Sequence, residues 1–167
     1  MKPKLTNKKS IILVGVDFYG NPYEKAGGWS EKNAIGETWE RFQKAFTEQK
    51  DSIKHLASES GYELWMEPEG EESKIRYIFT GVEVQRLEDV PLEFVVRMLP
   101  ETRYAVFSFK METLKSDWGQ IKSIWSEWLP QADLEPSHDY MIEYYDIERF
   151  KGMEDAEPVL PFMVPVK

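Results

Sequence analysis

The stretch YMIEYYDIERF, residues 140–150, places one carboxylate, Glu143, inside a run of aromatic and β-branched side chains. An acid among aromatic rings can do one thing well. It can hold a flat cation, with the carboxylate supplying the counter-charge and the rings supplying cation–π attraction and apolar area. An isolated carboxylate in an apolar wall is costly, so either Glu143 faces solvent or the cost is tolerated for a function. Strand alternation puts Met141, Glu143 and Tyr145 on one face and Ile142, Tyr144 and Asp146 on the other. Each face carries an acid, so alternation leaves open which one looks inward. Glu83, in TGVEV, is a second strand acid able to face the same space.

Other chemistries are excluded by residue type. With no cysteine there is no disulfide, thiolate metal site or thiol nucleophile. His55 and His138 stand far apart, each without a metal-ligand pattern, so no metal and no cofactor is expected. Glycine-rich phosphate loops are absent. The acids around the turn EGEES, Glu67, Glu69, Glu71 and Glu72, read as a solvated hairpin tip.

Composition frames these residues. The chain has 167 residues and a net charge of −9, and four lysines fall within its first nine positions, leaving the rest more acidic still. An acidic body does not suit a nucleic-acid groove and does suit cationic partners. Aromatics make up 14%, a surplus that serves a binding cavity as well as a core. The N-terminal lysines precede no apolar run, and no stretch approaches the ~20 apolar residues of a membrane span. These absences point to a cytoplasmic protein that does not enter membranes. The segment MKPKLTNKK reads as a frayed, solvated end.

The elements repeat. SIILVGVDFYG (10–20) reads as a strand, and ETWERFQKAFTEQ (37–49) as a helix with Trp39, Phe42 and Phe46 on one side. YELWMEP (62–68) and KIRYIFTGVEV (74–84) read as a hairpin. The second half repeats the order. It has a strand at 103–112, a helix over 116–130 capped by Ser116 and ended by Pro130, and strands at 140–147 and 159–166. Trp118, Ile121 and Trp125 repeat the helix stripe. The spacing predicts an α+β fold in which two βαββ copies, about 9–84 and 103–167, share one curved antiparallel sheet with two helices on it. The connector 85–102 holds a short strand at FVVRM (94–98). The long loop YEKAGGWSEKNAIG (23–36) leads into the first helix, with Trp29 as a candidate lid contact. Registering Tyr62 on Tyr140 places Trp65 opposite Glu143.

The order of motifs resembles the GyrI-like small-molecule-binding domains, which also serve as effector-binding domains of multidrug-responsive transcription regulators. The residues that carry the resemblance are TWERFQ (38–43), TGVEV (80–84), RYAVFSFKM (103–111), IWSEWLP (124–130) and MIEYYD (141–146), spread over about residues 9–167. The resemblance implies one such domain over 1–167, with a central cleft on its pseudo-twofold axis that takes bulky, flat, lipophilic and often cationic compounds. It implies that Glu143 is the pocket acid, that Trp125, Trp128 and Tyr145 are aromatic walls, and that Tyr104 and Phe107 are further wall candidates. Regulators of this group read DNA through a separate domain, so direct DNA binding is not expected of this chain. Some relatives resemble hydrolases of cyclopropane-bearing compounds, which implies an alternative with Glu143 and Tyr145 as the catalytic pair. A third class is an inhibitor that presents an acidic surface to a basic protein partner.

Overall fold

The computed structural model describes residues 1–27, 30–70, 72–150 and 159–167. Eight strands form one antiparallel sheet: β1 (Lys4–Lys8), β2 (Ile11–Gly20), β3 (Leu56–Met66), β4 (Arg76–Val84), β5 (Val95–Leu99), β6 (Thr102–Lys110), β7 (Tyr140–Tyr145) and β8 (Val159–Val166). Their spatial order is β1-β6-β8-β7-β3-β4-β2-β5. Helix α1 (Ala34–Gln49) follows β2, and a broken helical segment follows β6. The α+β tandem βαββ plan is therefore present, with the second strand of each copy, β3 and β7, meeting in the middle.

The N-terminal segment is not a frayed end. Residues Lys4–Lys8 pair with β6, with Leu5 opposite Ala105. The first nine residues hold only one large apolar side chain beyond Met1, so their hydropathy carried no strand signal. Their pairing is set by a distant edge instead. β1 runs into β2 through Lys9 and Ser10, and β5 runs into β6 through Pro100 and Glu101. Two residues span no more than about 10 Å, yet each link joins strands near opposite ends of the sheet. The sheet must therefore curl until its ends approach. Lys9 and Glu101 form an ion pair at 3.1 Å between the two links. Gly15 opposite Gly81 allows this coiling, because a Cβ on either would sit within 2.4 Å of a neighbouring carbonyl oxygen.

The curl separates two environments. Leu13, Tyr62, Leu64, Phe79, Tyr104 and Ile142 cluster on the face away from the helices. On the other face, Val14, Val16 and Val82 pack beneath Phe42 of α1. Phe107, Phe109 and Phe162 pack against Leu114 and Ile124 of the second helical segment. Among the described residues, no helix is long and apolar enough to cross a membrane.

The expected second helix, 116–130, differs in detail. It begins earlier, as α2 (Met111–Ser116), and breaks at Asp117, whose carboxylate caps the amide of Gly119. A 3₁₀ turn (Trp118–Lys122), a π-turn (Ile124–Trp128) and α3 (Leu129–Gln131) follow. Ser116 is thus a last helical residue and not a cap. Pro130 lies in the first turn of α3, where a missing N–H costs nothing. The π-turn widens the spiral and changes its phase. Ile124 goes to the core, and Trp125 turns outward to 42% exposure.

Matching Lys9 to Pro100 and following the ladders inward sets Val16 on Phe107, Thr80 on Phe162 and Glu63 on Glu143. Those six residues form one continuous rung across the sheet, Val16–Thr80–Glu63–Glu143–Phe162–Phe107. The pseudo-twofold passes between the two glutamates. The register that placed Trp65 on Glu143 is two residues out; Trp65 corresponds to Tyr145.

Candidate functional site

Glu63 and Glu143 face each other across β3 and β7, and each is 1% exposed. Directly opposed residues on neighbouring strands bring their Cβ atoms to about 5 Å, so two carboxyl groups share one apolar wall. Three aromatic donors serve them. Trp39, from α1, donates its indole N–H to Oε2 of Glu63. Trp65 donates to Oε1 of the same carboxyl at 2.5 Å. The Tyr145 hydroxyl donates to Oε2 of Glu143 at 2.8 Å. Among the described residues, neither glutamate forms an ion pair with a lysine or arginine.

This environment disfavours charge. Burial pushes the Glu63 carboxyl up to about 7, against the pull of its two indole bonds. Burial and then the charge of Glu63 hold Glu143 well above the usual carboxylate range, its tyrosine bond only partly compensating. Tyr23, from the loop before α1, lies within reach of both acids. The residue is 40% exposed, yet its phenol is raised to about 12, first by desolvation of its partly covered hydroxyl, then by the charges of Glu143 and Glu63. Thr80 stands beside Glu63 on the rung, fully buried, and among the described residues its hydroxyl has no hydrogen-bond partner.

Local sequence explains the placement. Asn33 caps α1, accepting from the amides of Ile35 and Gly36, and its side-chain amide also donates to the Ala26 carbonyl. That ties the loop to the helix start. Gly61 lets α1 approach, since a Cβ there would lie 2.7 Å from the Trp39 ring. The Trp39 and Tyr145 rings meet edge to face with centroids 4.9 Å apart. Together they separate the carboxyl pair from a cavity of about 610 Å³. Its apolar lining includes Ile35, Phe42, Phe46, Ile147 and Phe150, and its charged lining is Glu31, Glu40 and Glu59. Glu59 is paired with Lys50; among the described residues, no lysine or arginine lines the cavity.

The sequence-predicted residues divide. Glu143 and Tyr145 lie together at the axis. Trp128 packs at a tilt on Phe107 and Phe109, with centroids 5.7 and 5.6 Å away, so these rings form core beneath the second helical segment. Trp125 faces outward. Tyr104 and Glu83 lie on the opposite sheet face, because alternation on β6 and β4 turns them away from Phe107 and Thr80. There the Tyr104 hydroxyl meets that of Tyr140 at 2.8 Å, and Glu83 accepts from Tyr62 at 2.6 Å. Trp29 and Glu71 lie outside the described residues. Sequence reasoning missed Glu63, Trp39, Trp65, Thr80 and Tyr23. The signal for Glu63 was available. Setting YELW (62–65) on IEYY (142–145) aligns two acids with like flanks.

Comparison with known proteins follows the same lines. Residues 4–161 match the Cass2 family, described as integron-associated effector binding protein. Among solved structures, SAV2435 bound to tetraphenylphosphonium superposes with a TM-score of 0.65 at 16% identity, covering 100% of this chain and 94% of that one. An integron cassette protein from the mobile metagenome of Vibrio cholerae gives 0.62 at 13% identity, covering 99% and 96%. EcmrR, in a complex with DNA, gives 0.66 at 12% identity, covering 99% of this chain and 57% of that one. No curated protein matches the sequence significantly.

Proposed function

We propose that this chain, which belongs to the family of integron-associated effector-binding proteins, captures bulky, lipophilic, cationic small molecules at the Glu63–Glu143 pair. Effector binding follows from the family; the cationic preference is the further step. The observation that carries it is two adjacent buried carboxyl groups with aromatic donors and, among the described residues, no cationic side chain. Such a pair is a liability in the empty protein and becomes favourable when a ligand brings positive charge. The adjoining cavity has aromatic walls and only acidic charged lining. A ligand seated there reaches the carboxyls by turning Trp39 or Tyr145 aside. Each ring face offers a cation about 0.5–2 kcal/mol, and buried apolar area adds about 25 cal/mol per Å² before ordering costs. That the related SAV2435 was solved with tetraphenylphosphonium supports the same ligand class.

Tetraphenylphosphonium and tetraphenylborate, alike in shape and opposite in charge, test the reading. The cation is expected to quench tryptophan emission at micromolar concentration, and the anion to bind at least about tenfold more weakly. Equal binding of both overturns the charge reading. Binding of neither overturns the pocket and favours the protein-interaction alternative. The hydrolase alternative keeps one supporting contact, the Tyr145–Glu143 hydrogen bond. It ranks second because burial and the neighbouring Glu63 disfavour the ionised form of Glu143 that a general base needs.

A further inference from the structure

We infer that the carboxyl pair holds one negative charge, that this charge sits on Glu63, and that Glu143 serves as its neutral acid partner. The inference rests on the pair being the ligand-facing site. Its basis is the asymmetry of the two halves of the rung. Across the pseudo-twofold, Thr80 beside Glu63 is matched by Phe162 beside Glu143, and Trp65 by Tyr145. Glu63 therefore has a hydroxyl neighbour and accepts two indole N–H bonds, one on each oxygen. Glu143 has an apolar neighbour and accepts one phenol. Hydrogen bonds to a charged oxygen are about twice as strong as neutral ones, so the half with more donors stabilises the anion. An indole N–H has no acceptor capacity and can only favour an oxygen lone pair. Two like charges this close in an apolar wall cannot both persist, so ionising Glu63 keeps the proton on Glu143.

The groups facing the pair agree from every element. Trp39 faces it from α1, Trp65 from β3, Thr80 from β4, Tyr145 from β7 and Phe162 from β8. Tyr23 comes from the loop, itself in reach of Arg76 and Glu67. Among these, burial raises Glu63 to about 7, and burial with the charge of Glu63 raises Glu143. The unpartnered Thr80 hydroxyl is a spare donor for the Glu63 carboxylate when a ligand displaces Trp39. The site thus selects a single positive charge and reads it through the first repeat, whereas the sequence alone pointed to Glu143 in the second.

Two measurements decide this. The first is tetraphenylphosphonium affinity at pH 7. Glu63→Gln is expected to lose at least about 30-fold, because the charge must then fall on Glu143, which has fewer donors and an apolar neighbour to stabilise it. Glu143→Gln is expected to lose no more than about threefold, because a neutral amide replaces a neutral acid of the same shape. Equal losses, or a larger loss for Glu143→Gln, overturn the assignment. The second needs no ligand and keeps both carboxyls. Carboxyl ¹³C NMR of the Trp65→Phe variant is expected to show Glu63 titrating at higher pH than in the parent, and Glu63 ionising before Glu143 in the parent. Glu143 ionising first, or no movement of Glu63 in Trp65→Phe, overturns it. If the parent fails to bind tetraphenylphosphonium, the binding reading falls while the order of ionisation still decides where the charge lies.

Discussion

Raising the pH from 4.5 to 8 should destabilise the empty protein through the carboxyl pair, and the size follows from its burial. The ordinary Glu value of 4.5 is raised to about 7 for Glu63 in the fold. Below 4.5 the folded and unfolded chains both carry the proton, so there is no differential effect. Between 4.5 and about 7 the unfolded chain has released it and the folded chain has not. The folded state then binds more protons, and stability falls as pH rises. Above about 7 the loss is complete for Glu63, at about 3 kcal/mol from about 1.4 kcal/mol per unit. Glu143, raised by burial and by the charge of Glu63, adds to the fall in the same direction. A loss of this size is a visible part of the roughly 5–15 kcal/mol that stabilises a domain. Urea unfolding of the parent and of a double Glu63→Gln, Glu143→Gln variant, at pH 4.5, 6, 7 and 8, reads it. All other titrating groups are shared, so the parent curve should fall away from the variant curve as pH rises. Saturating tetraphenylphosphonium should raise parent stability more at pH 8 than at pH 4.5, since the cation binds the ionised pair. Parallel curves, within about 1 kcal/mol across the range, would refute the claim that the pair is buried and charge-averse.

Two further outcomes follow from the packing. Gly61→Ala places a methyl 2.7 Å from the Trp39 ring. It should displace that indole from Glu63, cost about 1–3 kcal/mol as overpacking does, and shift the tryptophan emission; an unchanged spectrum at unchanged stability would sever Trp39 from the site. Deleting residues 1–8 removes β1 and exposes the edge of β6. Lower thermal stability and concentration-dependent aggregation are expected, whereas a frayed end would leave both unchanged.

The sequence carried the fold where periodicity is local. Alternation in YMIEYY and the stripe of Trp39, Phe42 and Phe46 each report one element's buried face, and the matched spacing of two such sets reports the repeat. It failed where partners are remote. The pairing of Lys4–Lys8 with β6 depends on an edge about a hundred residues away, and nothing in KLTNK requires it. The phase of Trp125 depends on a π-turn that wraps the second helical segment onto Phe107 and Phe109. The site was half legible for a related reason. Acidic residues within aromatic strands stand out one at a time, but their apposition depends on register, and an error of two residues hid Glu63 behind Trp65.

Correct register also changes what the acid means. When a βαββ unit is doubled and its second strands meet at the axis, any acid near the middle of that strand meets its own copy. The liability of one buried carboxyl becomes the larger liability of two, and a symmetric site would leave a proton undecided between them. Here the copies differ at the positions that matter. The polar set of Thr80, Trp39 and Trp65 surrounds one carboxyl, and Phe162 with Tyr145 surrounds the other. Duplication brings the acids together; divergence of their neighbours then gives one of them the charge and the other the proton. On the proposed reading, such a site meets a cation with one fixed charge and one neutral acid, so it matches ligand charge without demanding a particular ligand shape.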